Sequence, residues 1–246
     1  MCRRNPDDNL RHEGQGRDDE TGGARLGPRR MSDVRIAADG VELQAALCVP
    51  QNPFGIVLFA HRSGTSRFSP RNRQVAAFLS QHRLATLLLD LLTAEEENLG
   101  PVSEIHFDIG LLARRLTAAS DWVARHPATQ GLPQGYFGAS TTAAALIGAA
   151  TRAQHIRAVV SRGGRADLAG DALPAVRAPT LLIVGGEDPH VLALNRLALA
   201  RMCCEHELVV VPGATRLFGE PGALDEVARL ARAWFLRFLV PAAEPA

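Results

Sequence analysis

An α/β domain is the fold class that the sequence predicts, with a mostly parallel central sheet, helices on both faces and an N-terminal antiparallel hairpin. Three observations predict it. Short continuous apolar runs recur along the chain, the mark of strands buried on both faces. They alternate with longer segments of helical apolar spacing, an order that generates parallel strands with helices packed above and below. An Ala-Asp-Gly step between two strand-like segments marks a hairpin ahead of the first buried run.

The elements follow in order from Met31. DVRIAA and VELQAALCVP flank the hairpin turn, and GIVLFA (55–60) is the first buried strand. RNRQVAAFLSQHR (71–83) carries helical spacing at Val75, Phe78 and Leu79, and LATLLLDLL (84–92) is the next strand. The acidic segment TAEEENLGPVSE reads as a loop, because its Pro-Gly content breaks a helix. FDIGLLARRLTAASDWVARHP (107–127) is a long amphipathic helix ended by Pro127. QGYFGAS (134–140) is a strand entering a sharp turn, and TTAAALIGAATRA (141–153) is a small-residue helix that can lie close to a sheet. Three further strands are IRAVVSRGG (156–164), TLLIVGGED (180–188) and HELVVVPGA (206–214). Helical segments ALNRLALARM, expected to carry on toward the Cys203-Cys204 pair, and ALDEVARLARAWFLRFL follow the last two strands. The span 165–179 is too short for a separate lid domain.

The chain of 246 residues, 46% hydrophobic, is long enough to bury a full core. Residues 1–30 are polar and Gly-rich and read as a disordered extension, with Met31 as a natural start. The folded domain is expected over 31–240, with 241–246 as a tail. A net charge of +1 gives no global reason to expect nucleic acid or a membrane surface as partner. All 27 basic residues are arginine, which reads as compositional bias. The four cysteines show no zinc-ligand spacing, and the adjacent Cys203 and Cys204 bridge only with strain, so a reduced, cytoplasmic setting is expected. No metal site is expected, from His61 with His190 or otherwise.

In sheets of this kind, chemistry collects at the carboxyl ends of the strands. GASTT (138–142) places Ser140 between a buried strand and a small-residue helix, the setting of a nucleophile elbow of G-x-S-x-G type. Thr142 stands where that pattern has its second glycine. GGED (185–188) places Asp188 after the next-to-last strand, where an acid can orient a histidine, with Glu187 one residue away as the fallback. FAHRSGTS (59–66) follows the first buried strand, where a loop amide completes an oxyanion hole; His61 is present, with Arg62 in place of a glycine. VVSRGGRADL (159–168) brings Arg162 to the same edge, either as a solvated loop residue or as an anion-recognition group.

Taken in order, AHRSGTSRFSPRNRQVAAFL, LLLDLLTAEEE, GYFGAST, VVSRGGRADLA, APTLLIVGGED and VPGATRLF resemble the dienelactone-hydrolase-like branch of the α/β-hydrolase superfamily. Some relatives of that branch are fused to phosphoribosyltransferase domains. The resemblance covers about residues 31–240 and implies an α/β-hydrolase fold. It also implies a serine nucleophile, an acid and a histidine base acting on small esters, lactones or related acyl compounds, without metal or organic cofactor. Ser140 and Asp188 match the nucleophile and the acid. The histidine would fall in a pattern P-G-A-T-H-L-F, and this chain has Arg216 there.

A guanidinium stays protonated at any ordinary pH and has no acceptor nitrogen, so Arg216 cannot take the serine proton. It is expected to pair with Asp188 instead. His190, two residues past Asp188, is the candidate substitute base, and His61 lies at the same edge. Two functions therefore stand side by side. One is a small serine hydrolase in which the amides of Thr141 and Arg62 hold the oxyanion. The other is a non-catalytic protein of the same fold that binds an anionic small molecule or a protein partner. Arg62, Thr142 and Arg216 are three departures from the family pattern at one site.

Overall fold

The computed structural model describes residues 31–61, 66–100, 103–139, 141–152 and 154–240. The expected extension over 1–30 and the tail over 241–246 lie outside the described residues.

Eight strands form one sheet: β1 (Met31–Ala38), β2 (Val41–Cys48), β3 (Gly55–His61), β4 (Leu84–Asp90), β5 (Gln134–Ala139), β6 (Ile156–Arg162), β7 (Thr180–Gly185) and β8 (His206–Val211). The spatial order is β1-β2-β4-β3-β5-β6-β7-β8. The pairs β1/β2 and β2/β4 are antiparallel, and every other neighbouring pair is parallel. Asp39 (φ 52°) and Gly40 (φ 80°) make the two-residue turn of the β1–β2 hairpin, with Ala38 opposite Val41. Both φ values are positive, the geometry that matches strand twist in tight hairpins.

The helices are α1 (Pro70–Gln81), α2 (Ala94–Glu97), α3 (Ile109–Arg125), α4 (Thr142–Thr151), α5 (Pro189–Leu199) and α6 (Ala223–Leu239), with 3₁₀ turns at Ser66–Phe68, Glu104–Phe107 and Ala166–Ala175. Two cores lie on the two faces of the sheet. In β3, Ile56, Leu58 and Ala60 face α3 and α4, while Val57 and Phe59 face α1 and α6. That division is why the strand reads as one unbroken apolar run. Gly135 of β5 admits α6 closely, since a Cβ there would lie 2.7 Å from the Phe235 ring.

The acidic segment after β4 is not a plain loop. Thr93 and Glu96 form a capping box that starts α2: the Glu96 N–H donates to Thr93 Oγ1 at 3.3 Å, and the Thr93 N–H donates to Glu96 Oε2 at 2.9 Å. Arg115 of α3 then holds the Glu96 carboxylate by two hydrogen bonds of 2.6 and 2.7 Å. The T-x-x-E signature outweighs the Pro-Gly composition downstream of it. The long third helix starts at Ile109, two residues later than its apolar spacing suggests, because Asp108 caps it by accepting from Leu111 N–H at 2.8 Å. Helix α5 starts at Pro189 and stops at Leu199, so Cys203 and Cys204 lie in the turn before β8 and not in a helix. Among the described residues, no helix is long and apolar enough to cross a membrane.

Candidate active site

Strands β3, β5, β6, β7 and β8 run parallel, so their carboxyl ends share one edge. Strand β5 ends at Ala139, Ser140 lies outside the described residues, and Thr141 is the N-cap of α4. The buried Thr141 hydroxyl donates to the Ala60 carbonyl at 2.6 Å and so ties the elbow to the end of β3. Helix α4 doubles back so tightly that a Cβ on Gly138 would lie 2.9 Å from Thr142 Cα. Only glycine fits there, as a nucleophile elbow requires.

Thr142 replaces the elbow's second glycine without opening the turn. It is fully buried, and its hydroxyl lies 2.6 Å from Ser161 Oγ. The space it needs comes from Gly164, where a Cβ would fall 1.8 Å from Thr142 Oγ1.

Arg162 ends β6 directly beside Ala139 and is 9% exposed. No ion pair joins it to an acid among the described residues, and its buried Nη1 has no hydrogen-bond partner. Burial pushes its guanidinium down to about 10, and the positive charge of Arg71 acts in the same direction. Arg71 lies in the first turn of α1. Among the described residues, no carboxylate compensates the buried Arg162 cation.

The loops after β7 and β8 are stitched together. Gly186 N–H donates to Val211 O at 2.9 Å and Glu187 N–H to Ala214 O at 3.0 Å. Asp188 caps α5, its Oδ1 accepting from Val191 N–H at 3.1 Å. The backbone of Arg216 reaches β6, since a Cβ on Gly163 would lie 2.8 Å from Arg216 O. Position 216 is thus beside Arg162 and one loop away from Asp188. The expected pairing is corrected, however: no ion pair joins Arg216 to Asp188 among the described residues, and Arg216 is exposed. One carboxylate oxygen of Asp188 is held by its own helix, and a solvated arginine gains little from a partly exposed partner.

His190 is exposed in the first turn of α5, on the side of Asp167, a residue of the Ala166–Ala175 segment. Asp167 is itself bound by Arg165, whose two hydrogen bonds of 2.7 Å hold that carboxyl below its usual range. His61 ends β3, its backbone paired with Asp90, and its side chain is outside the described part, as is all of Arg62. Glu187 is exposed.

A cavity of about 250 Å³ adjoins the elbow. Thr141, Ala143 and Ala144 line it together with Ile109 and Leu112 of α3 and with His106. Sequence reasoning passed over His106. Its only signal is its position after β4 at the active edge, and neither the spacing nor the neighbouring residues marks it. A larger, open depression of about 670 Å³ lies beside β2, β4 and α2, and its described lining includes no residue of the elbow. Among the described residues, no group of three or more His, Cys, Asp or Glu side chains could hold a metal ion.

No family model matches the chain. Over 214 residues it is 55% identical to proteins of two Mycobacterium tuberculosis strains that bear a provisional phosphoribosyl transferase name, matching 86% of this chain and 47% of theirs. The chain thus spans about half the length of those curated relatives. The crystal structure of a dienelactone hydrolase from Anabaena variabilis superposes with a TM-score of 0.83 at 52% identity, covering 85% of this chain and 98% of that one. A dienelactone hydrolase-like promiscuous phosphotriesterase from metagenomic libraries has a TM-score of 0.69 at 16% identity, covering 86% and 99%, and shares the fold alone. With an eight-stranded sheet in this order, a strand–turn–helix elbow after β5 and half-identity over a whole dienelactone hydrolase chain, the protein belongs to the dienelactone hydrolase family of the α/β-hydrolase fold.

Proposed function

We infer that the chain is a serine hydrolase of small esters, lactones or related acyl compounds, with Ser140 as nucleophile and Asp188 as the triad acid. The observation that carries this reading is the elbow: Gly138 and Thr142 in contact, with a cavity opening beside Thr141. The N–H of Thr141 has no acceptor among the described residues, which suits a donor awaiting an oxyanion. Attack by the Ser140 oxygen on the acyl carbonyl would place the developing charge at that amide, with the Arg62 amide as second donor. His61 would line the same hole.

Arg216 cannot accept the serine proton, so turnover is expected to be slow unless His190 moves from its exposed place. Loss of the histidine from a serine triad costs ~10⁶ in turnover and leaves ~10³–10⁴ over water. Arg162 and Arg71 would favour a substrate whose leaving half carries a carboxylate or phosphate. Among the described residues Cys48, Cys203 and Cys204 are free thiols, which suits the reducing cytoplasm. No organic cofactor, nucleic acid or membrane enters this reading. The phosphoribosyl transferase name belongs to the longer relatives.

A second reading is a non-catalytic binder of an anionic small molecule or a protein partner on the same surface. It is favoured by the exposed Arg216 and the buried Arg162, neither of which has an acid partner among the described residues. Fluorophosphonate labelling separates the two. Labelling and ester turnover that disappear in Ser140→Ala support the hydrolase. Absence of both in the unmodified protein, with both appearing in Arg216→His, supports the binder.

A further inference from the structure

The cavity beside the elbow contains a polar side chain that the hydrolase mechanism does not use. His106 sits in the 3₁₀ turn Glu104–Phe107, anchored by its backbone N–H to Ser103 O at 3.1 Å. The residue is 7% exposed, and its Nε2 is buried without a hydrogen-bond partner. Its ring makes no hydrogen bond to any described residue. A neutral imidazole carries one donor and one acceptor, and buried groups of this kind are almost always paired. Among the described residues nothing supplies that partner, and a ligand entering the cavity can.

The other walls restrict what can enter. Ile109, Leu112, Ala143 and Ala144 are apolar, and the Thr141 hydroxyl is already committed to Ala60 O. The described lining offers a carboxylate no cation to replace its lost water. A cavity of ~150 Å³ holds benzene, so the 250 Å³ here suits a substituted ring. Phe107 and Leu168, 59% and 49% exposed, flank the opening.

We propose that this cavity binds the acyl half of the substrate, a compact aryl or branched alkyl group bearing a hydroxyl, and that His106 recognises that hydroxyl. A hydroxyl both donates and accepts, so it pairs with either tautomer of the ring. An unsubstituted group of the same size would leave the imidazole unpaired, which is how a polar residue in an apolar pocket discriminates. The proposal rests on the hydrolase reading for the reaction, although not for the binding.

Two matched measurements test it. The first compares kcat/KM for 4-nitrophenyl 4-hydroxyphenylacetate with that for 4-nitrophenyl phenylacetate. The unmodified protein should prefer the hydroxylated ester by about tenfold, mostly through KM. His106→Phe, which keeps a ring in place, should abolish the preference, and His106→Gln, which keeps a donor and an acceptor, should restore part of it. The second titrates 4-hydroxyphenylacetamide and phenylacetamide into ¹⁵N-histidine-labelled protein, with the His106 signal assigned from its loss in His106→Phe. The hydroxylated amide alone should shift that signal. Turnover of both esters at equal efficiency with an unmoved His106 signal overturns the proposal while leaving the hydrolase intact. A shifted signal without turnover of either ester supports the pocket and removes the hydrolase reading.

Discussion

Thr142 and Gly164 share one space at the start of α4: a Cβ at position 164 would lie 1.8 Å from Thr142 Oγ1 and 2.6 Å from its Cβ. The elbow's missing glycine has been exchanged for a glycine on the neighbouring strand's loop. The sum of side-chain volume at the elbow is thereby kept low, although the sequence pattern is broken.

Gly164→Ala should therefore destabilise the protein by about 2–4 kcal/mol, since the buried Thr142 has no room to retreat. The same substitution in a Thr142→Gly background should cost less than about 1 kcal/mol. Urea unfolding of the four proteins of this cycle measures the coupling. Additive costs would show that the two positions do not compete.

Arg216→His should raise hydrolysis of 4-nitrophenyl acetate by at least ~10²-fold, because it returns an acceptor nitrogen to the loop beside β6. The new activity should rise with pH through the ordinary histidine range near ~6.5, as the imidazole loses its proton. Ser140→Ala in the same background should abolish it. A rate unchanged by Arg216→His would mean that position 216 does not reach the nucleophile.

Asp188 caps α5, and the proposed mechanism would give it a second, catalytic role. Asparagine caps a helix about as well as aspartate, so Asp188→Asn should leave stability nearly unchanged, whereas Asp188→Ala should cost about 1 kcal/mol through loss of the bond from Val191 N–H. In an Arg216→His background both should lower turnover steeply, since an asparagine cannot stabilise an imidazolium; the comparable change in a serine protease costs ~10⁴. Thermal melts read the first effect and steady-state kinetics the second.

Arg162 should destabilise the empty protein. Burial holds its guanidinium near 10, below the ordinary arginine value, so the folded state binds that proton more weakly than the unfolded chain. The cost is therefore present in full below about pH 10 and fades only as pH rises through that value. Arg162→Met should raise the melting temperature at neutral pH by a few degrees. Inorganic phosphate should raise the melting temperature of the unmodified protein and not that of the variant. A lower melting temperature for Arg162→Met would show that the guanidinium has a stabilising partner.

Much of the architecture was legible in the chain. Runs such as GIVLFA and TLLIVGG read as strands covered on both faces because two separate cores each take alternate residues from them. The α2 helix was hidden because a Thr-Glu capping box, four residues long, carries no apolar period to detect. The family motifs also marked positions 138–142, 188 and 216 as one edge. They could not show that Asp188 and Arg216 form no ion pair with each other, because a motif specifies chain position and not which group a side chain meets.

By itself, then, the sequence determined the sheet, the elbow's location and the absence of a base at position 216, since these depend on local periodicity and on the chemistry of single residues. The tertiary structure alone decided that Gly164 makes room for Thr142, that Arg162 is buried without an acid among the described residues, and that His106 lines the cavity beside Thr141. Each of these is a contact or a vacancy between segments distant in sequence. Such relationships arise only when parallel strands bring their loops to one edge, where volume and charge must be balanced among residues that are not neighbours along the chain.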